Sequence, residues 1–139
     1  MIVEQTPAVL AIIQDKKKFL FVKRNSKNRF EPAKWGFIGE AIKFKEDIID
    51  ALKRGIKEET NLTLKEWKLF NAYSFYFESQ DKVRHAVVIA YICRCSGKVK
   101  LNFESEDYGW FSLEESEKLD LIEGNRIILS DLKKFFNNS

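Results

Sequence analysis

The chain has 139 residues, 45% of them hydrophobic and 32% charged, and carries a net charge of +3. That length predicts a single domain spanning residues 1–139, and the 12 Phe favour a well-filled core over disorder. The charge is too mild and too interspersed for a nucleic-acid surface, though it would not hinder an anionic substrate. No apolar run approaches the roughly 18 residues of a membrane span. The N-terminus shows no basic region, long apolar region and cleavage site in succession, so no signal peptide is expected. Cys93 and Cys95, spaced i, i+2 on a strand, sit about 7 Å apart on one face, which disfavours a disulfide. Zinc wants about four ligands, and the lone His85 completes no set. Both cysteines read as small apolar fillers in a reducing cytoplasm.

In chain order, residues 8–14 (AVLAIIQ) and 19–23 (FLFVK) read as two strands joined by a turn at Asp15–Lys18, a hairpin signal. Lys23 and Arg24 end the second strand. Residues 25–34 form a polar loop long enough to border a site, with Arg29 and Phe30 as weak contact candidates. Trp35–Ile38 is a short strand leading to Gly39, where a glycine lets backbone approach a ligand closely. A helix follows from about Lys45 to Thr60. Residues 67–78 (WKLFNAYSFYFE) and 83–95 (VRHAVVIAYICRC) form a long hairpin expected at the centre of the sheet. Tyr73, Phe75 and Phe77 alternate onto one face, more readily core than a base-stacking platform. Lys98–Leu101 reads as a short edge strand, residues 102–108 as an acidic loop, and Gly109–Ser112 as a strand. Leu113–Leu119 reads as a short helix, and apolar residues at 128, 129, 132, 135 and 136 predict a closing helix over 125–136. The fold class is α+β: a mixed sheet with helices on its faces.

The helix carries acids in an unusual place. At about 100° per residue, Ile48, Ile49, Leu52 and Ile56 form a core-facing stripe. Glu46, Asp50 and Lys57 then face solvent. Glu58 and Glu59 flank the stripe, on the same side as Ala51 and Gly55. Adjacent carboxylates leaning toward the protein body repel each other and resist desolvation. A hard divalent ion, Mg²⁺ above all, relieves both problems, whereas the plainer reading is a solvated helix end.

This stretch resembles the signature of the Nudix (MutT-like) hydrolases, G-x5-E-x7-R-E-U-x-E-E-x-G-U with U a bulky aliphatic. Glu46, Arg54, Ile56, Glu58, Glu59 and Leu62 match it. Glu40 stands at the first glycine, Gly55 at the glutamate after Arg54 and Asn61 at the last glycine. Lys45 replaces a frequent glycine just before Glu46. The resemblance implies an α/β/α sandwich with a mixed sheet. It also implies that Glu58 and Glu59 hold Mg²⁺ or Mn²⁺ with help from the Gly39 backbone. On the same resemblance Glu46 and Arg54 are expected to pair and steady the loop, and Lys23 or Arg24 to meet substrate phosphate. A glutamate at 55 would share the face of Glu58 and Glu59. Its loss leaves Glu40, Glu104 or Glu106 as candidate replacements. Asn61 is a mild change, because Asn is the second choice for a left-handed helix cap.

Two functions are expected to compete. The first is an Mg²⁺-dependent hydrolase of a nucleoside diphosphate linked to another group, with a small-molecule nucleotide as substrate. The second is a degenerate module that binds a nucleotide without cleaving it, motivated by Gly55. The sequence does not name the substrate, nor decide between a monomer and a homodimer.

Overall fold

The computed structural model describes residues 1–28, 31–79 and 81–137. Arg29, Phe30 and Gln80 lie outside the described residues. Strand β1 (Ile2–Asp15) is the axis of the sheet. Val9, Ala11 and Ile13 point to one face of it, and Leu10 and Ile12 to the other. Both faces are covered, so the run is apolar throughout rather than alternating. Strand β6 (Lys82–Ser96) runs parallel to β1 from Ile2↔Lys82 to Ile13↔Cys93. Strand β5 (Thr63–Ser79) pairs antiparallel with β6. A tight turn at Lys16 joins β1 to β2 (Lys18–Arg24), which pairs in turn with β3 (Trp35–Gly36) and β7 (Ser105–Phe111). Strand β4 (Ile38–Ala41) pairs with β1 through Ala8–Ala11.

Helix α1 (Ile48–Thr60) covers one face with Ala51, Leu52 and Ile56. Helices α2 (Leu113–Ser116) and α3 (Asn125–Asn137) cover the other, where Leu113, Ile128, Leu129 and Leu132 meet Leu10, Ile12, Phe19 and Phe21. The result is the expected α/β/α sandwich on a mixed sheet. Among the described residues no helix is long and apolar enough to cross a membrane.

Several elements differ from expectation for identifiable reasons. Helix α1 starts at Ile48, because Lys45 holds a left-handed backbone (φ 66°) and the Asp47 side chain caps the helix by accepting from Ile49 N–H. The long hairpin is not central: β6 is interior, but β5 closes the sheet at its edge, because β6 spends its other side on β1. The strand expected at 98–101 is absent. Lys100 N–H instead bonds Thr60 C=O, drawing this segment over the end of α1. Strand β7 begins at Ser105, so Glu106 lies on a strand rather than in a loop. The short strand at 35–38 is two strands, and the chain crosses from β2 to β1 at Phe37.

Candidate active site

The last turn of α1 places its two adjacent glutamates in different surroundings. Glu59 turns inward and is only 8% exposed, and its Oε2 has no hydrogen-bond partner. The Glu104 carboxyl, from the loop before β7, faces it closely enough to share a proton, and Glu40 adds negative charge nearby. Burial first, then Glu104, pushes the Glu59 carboxyl up to about 9, while Arg24 pulls weakly the other way. Glu58, about 100° further back on the helix, keeps 53% of its side chain exposed.

Arg54 is the electrostatic hub behind this pair. Its guanidinium lies 3.0 Å from Glu40, 2.9 Å from Glu46 and 3.5 Å from Glu58, and it donates to Ala41 C=O at 2.8 Å. Glu46 takes two parallel bonds from Arg54 and a third from Lys43 N–H. The Arg54 bonds above all hold its carboxyl down at about 2. The solvent-facing position expected of Glu46 is therefore corrected. It precedes the helix, so the helical angle does not apply to it, and it clamps the β4–α1 loop onto α1.

Glu59 opens onto a cleft of about 220 Å³. Its apolar part is built by Leu10, Val22, Phe37, Phe75, Phe77 and Val88, and its polar part by Arg24, Asn28, Glu104, Ser105, Glu123 and Asn125. Asn125, at the start of α3, is fixed by accepting from Phe37 N–H at 3.0 Å. An apolar slot beside convergent polar groups is the usual form of a small-molecule site. Gly39 lies on β4 opposite Leu10 and also lines the cleft. The space above it is open, since an added Cβ would meet only Val9 O, at 3.9 Å.

The structure thus brings Glu59, Gly39 and Arg24 to one cleft, with Glu58, Arg54 and Glu46 behind it. It does not bring Lys23 there: that side chain pairs with Glu106 at 3.8 Å. Glu106 also accepts from Ser26 N–H, which ties it to the loop after β2 rather than to Glu59. Phe75 and Phe77 do two things at once, packing against the core and lining the cleft. Sequence reasoning missed Asn125, Glu123 and Phe37, whereas Asn28 belongs to the 25–34 loop expected to border a site. Asn125 offered one faint signal, a polar residue opening an otherwise amphipathic helix. Among the described residues no group of three acids, histidines or cysteines stands ready-made as a metal cage. The buried, partnerless Glu59 oxygen among other acids nevertheless fits a divalent cation, which keeps few protein ligands.

An α/β/α sandwich with an acidic helix end turned onto a half-apolar cleft has the form of a small-molecule site. The model of the NUDIX domain family matches residues 4–132, and the chain belongs to that family as a Nudix-type hydrolase. It is similar to a nucleoside triphosphatase, NudI, of Klebsiella pneumoniae (24% identity, 91% of this chain and 95% of the relative). It is also similar to an 8-oxo-dGTP diphosphatase of Buchnera aphidicola (25% identity, 93% and 94%). Among solved structures, a MutT NUDIX hydrolase from Burkholderia pseudomallei superposes with a TM-score of 0.81 at 25% identity, over 91% of this chain and 97% of that one.

Proposed function

We propose that this chain is an Mg²⁺- or Mn²⁺-dependent pyrophosphohydrolase of a nucleoside diphosphate linked to another group. A nucleoside triphosphate fits that description and accords with the names of its relatives. The observation that carries the reading is the Glu59 carboxyl, buried without a partner for Oε2 at the wall of the cleft. Glu58, Glu59 and the Gly39 carbonyl would hold the ion. When bound, the ion supplies charge neutralisation of the diphosphate and activation of water for attack at phosphorus. Arg24 binds phosphate charge on the cleft rim. Phe37, Phe75 and Phe77 give the base an apolar slot, and Asn125 a polar edge. Glu46 and Arg54 act at one remove, fixing the loop that carries β4 into α1. The free Cys93 and Cys95 accord with a reducing cytoplasm.

The test is phosphate release with Mg²⁺ and then Mn²⁺ across nucleoside triphosphates, dinucleoside polyphosphates, nucleotide sugars and dinucleotide cofactors. The pyrophosphate or phosphomonoester products are converted by added pyrophosphatase or phosphatase. Metal-dependent turnover of one class is expected, together with its loss in Glu58→Gln and Glu59→Gln. Turnover that survives both substitutions overturns the assignment. The competing reading, binding without cleavage, draws on Gly55. It would show as nucleotide binding by calorimetry with no turnover of any class. Gly55→Glu alone is a poor discriminator, because a side chain at 55 collides with Glu40.

A further inference from the structure

Two departures from the Nudix signature mirror each other: a glutamate stands at 40 where the signature has glycine, and a glycine at 55 where it has glutamate. In the folded chain these two positions touch. A Cβ built on Gly55 would lie 2.7 Å from Glu40 Cβ, 3.0 Å from its Cγ and 3.5 Å from its Oε2. The Glu40 side chain therefore fills the space into which a side chain at 55 would grow. Strand register explains why it points there. Glu40 pairs with Val9, whose side chain faces α1, whereas Gly39 pairs with Leu10 on the cleft side. The stem is held between β4 and α1, and its carboxylate is anchored by Arg54 at 3.0 Å. It stays close enough to Glu59, whose Oε2 has no partner, to act on its charge.

We propose that Glu40 supplies from β4 the carboxylate that position 55 no longer carries, and that Gly55 is the room this exchange requires. The proposal rests on the metal-dependent reading above. It moves one acid from helix to strand, where its negative charge still bears on Glu59. It also explains why a helix-weakening glycine is placed in the middle of α1, since any larger residue there would displace the Glu40 stem.

The exchange is tested by a double-mutant cycle read without substrate. Mn²⁺ binding is measured by calorimetry or electron paramagnetic resonance, and thermal unfolding is followed in chelator. Glu40→Gln keeps the packing and removes the charge. It should weaken Mn²⁺ binding about tenfold or more while leaving the unfolding temperature near that of the wild type. Glu40→Gly should lose affinity likewise. Gly55→Glu alone should unfold at a lower temperature. The double variant Glu40→Gly, Gly55→Glu should recover both quantities, affinity to within about twofold. Unchanged Mn²⁺ affinity in Glu40→Gln overturns the exchange, as does a double variant whose losses are the sum of the single ones. Glu59→Gln separates the two levels of the argument. If it abolishes Mn²⁺ binding and Glu40→Gln leaves the affinity unchanged, only the exchange is wrong. If the wild type binds no Mn²⁺, or Glu59→Gln binds it normally, the metal-dependent reading falls and the exchange with it.

Discussion

Lys45 adopts φ 66°, a left-handed conformation in which a side chain crowds the backbone. Glycine removes that cost, although it also gains freedom in the unfolded chain. Lys45→Gly is therefore expected to stabilise the protein by about 0.5–1 kcal/mol, a rise in melting temperature readable by calorimetry. Gly55 gives the opposite expectation. Alanine in mid-helix ordinarily gains about 1 kcal/mol over glycine. At 55 the added methyl meets the Glu40 stem at 2.7 Å, and that stem is anchored to a strand. Gly55→Ala should melt no higher than the wild type, and should become stabilising once Glu40→Gly has cleared the space. A clear gain in the wild-type background would mean that the contact is soft. At this scale the sequence was partly legible. Asn61 does take the left-handed cap position, at φ 66°. Glu40 could be named as a candidate replacement, but nothing in a linear string shows that it lies against Gly55.

The β4–α1 loop is held as a unit by Arg54, which bonds Glu46 twice and Ala41 C=O once. Glu46 has its folded pKa depressed, from 4.5 to about 2, chiefly by the Arg54 bonds. A depressed carboxyl contributes stability that is present above its unfolded pKa and lost as pH falls through its folded one. The melting temperature of the wild type should therefore exceed that of Glu46→Gln at pH 6, with the gap closing as pH falls from 4.5 toward 2. A gap independent of pH would assign the effect of the substitution to shape rather than charge. The elements themselves were well marked where periodicity was long, as in α1, α3 and the β5–β6 hairpin. They were misread where a local backbone contact decides. Asp47 starts α1 later than apolar spacing suggested, and Thr60 captures Lys100 in place of a strand partner. Glu46, placed on the helix by angle alone, was consequently aimed the wrong way.

At the scale of the whole molecule, the layer order followed from the apolar faces of β1, α1 and α3, but the strand order did not. Nothing local states that β1 pairs parallel with β6, and this pairing puts β5 at the edge and leaves Phe75 and Phe77 beside the cleft. Those same layers bury Glu59, and the burial carries a cost. An unpartnered buried polar group costs about 1–3 kcal/mol, more when charged, and Glu59 faces a second acid as well. The metal-free protein thus holds, at its most buried acidic position, a carboxyl whose charge its surroundings oppose, a cost that the uncharged amide of Glu59→Gln does not carry. In chelator near neutral pH, Glu59→Gln should melt higher than the wild type. Adding Mn²⁺ should then reverse the order. A ligand that binds only the folded state at about 100 times its Kd stabilises it by about 2.7 kcal/mol. The wild type should gain that increment and Glu59→Gln should gain almost none. Two melting curves per protein, with and without the ion, decide it. If Glu59→Gln melts lower in chelator and still responds to Mn²⁺, the buried carboxyl is a structural group satisfied by Glu104, and the ion binds elsewhere.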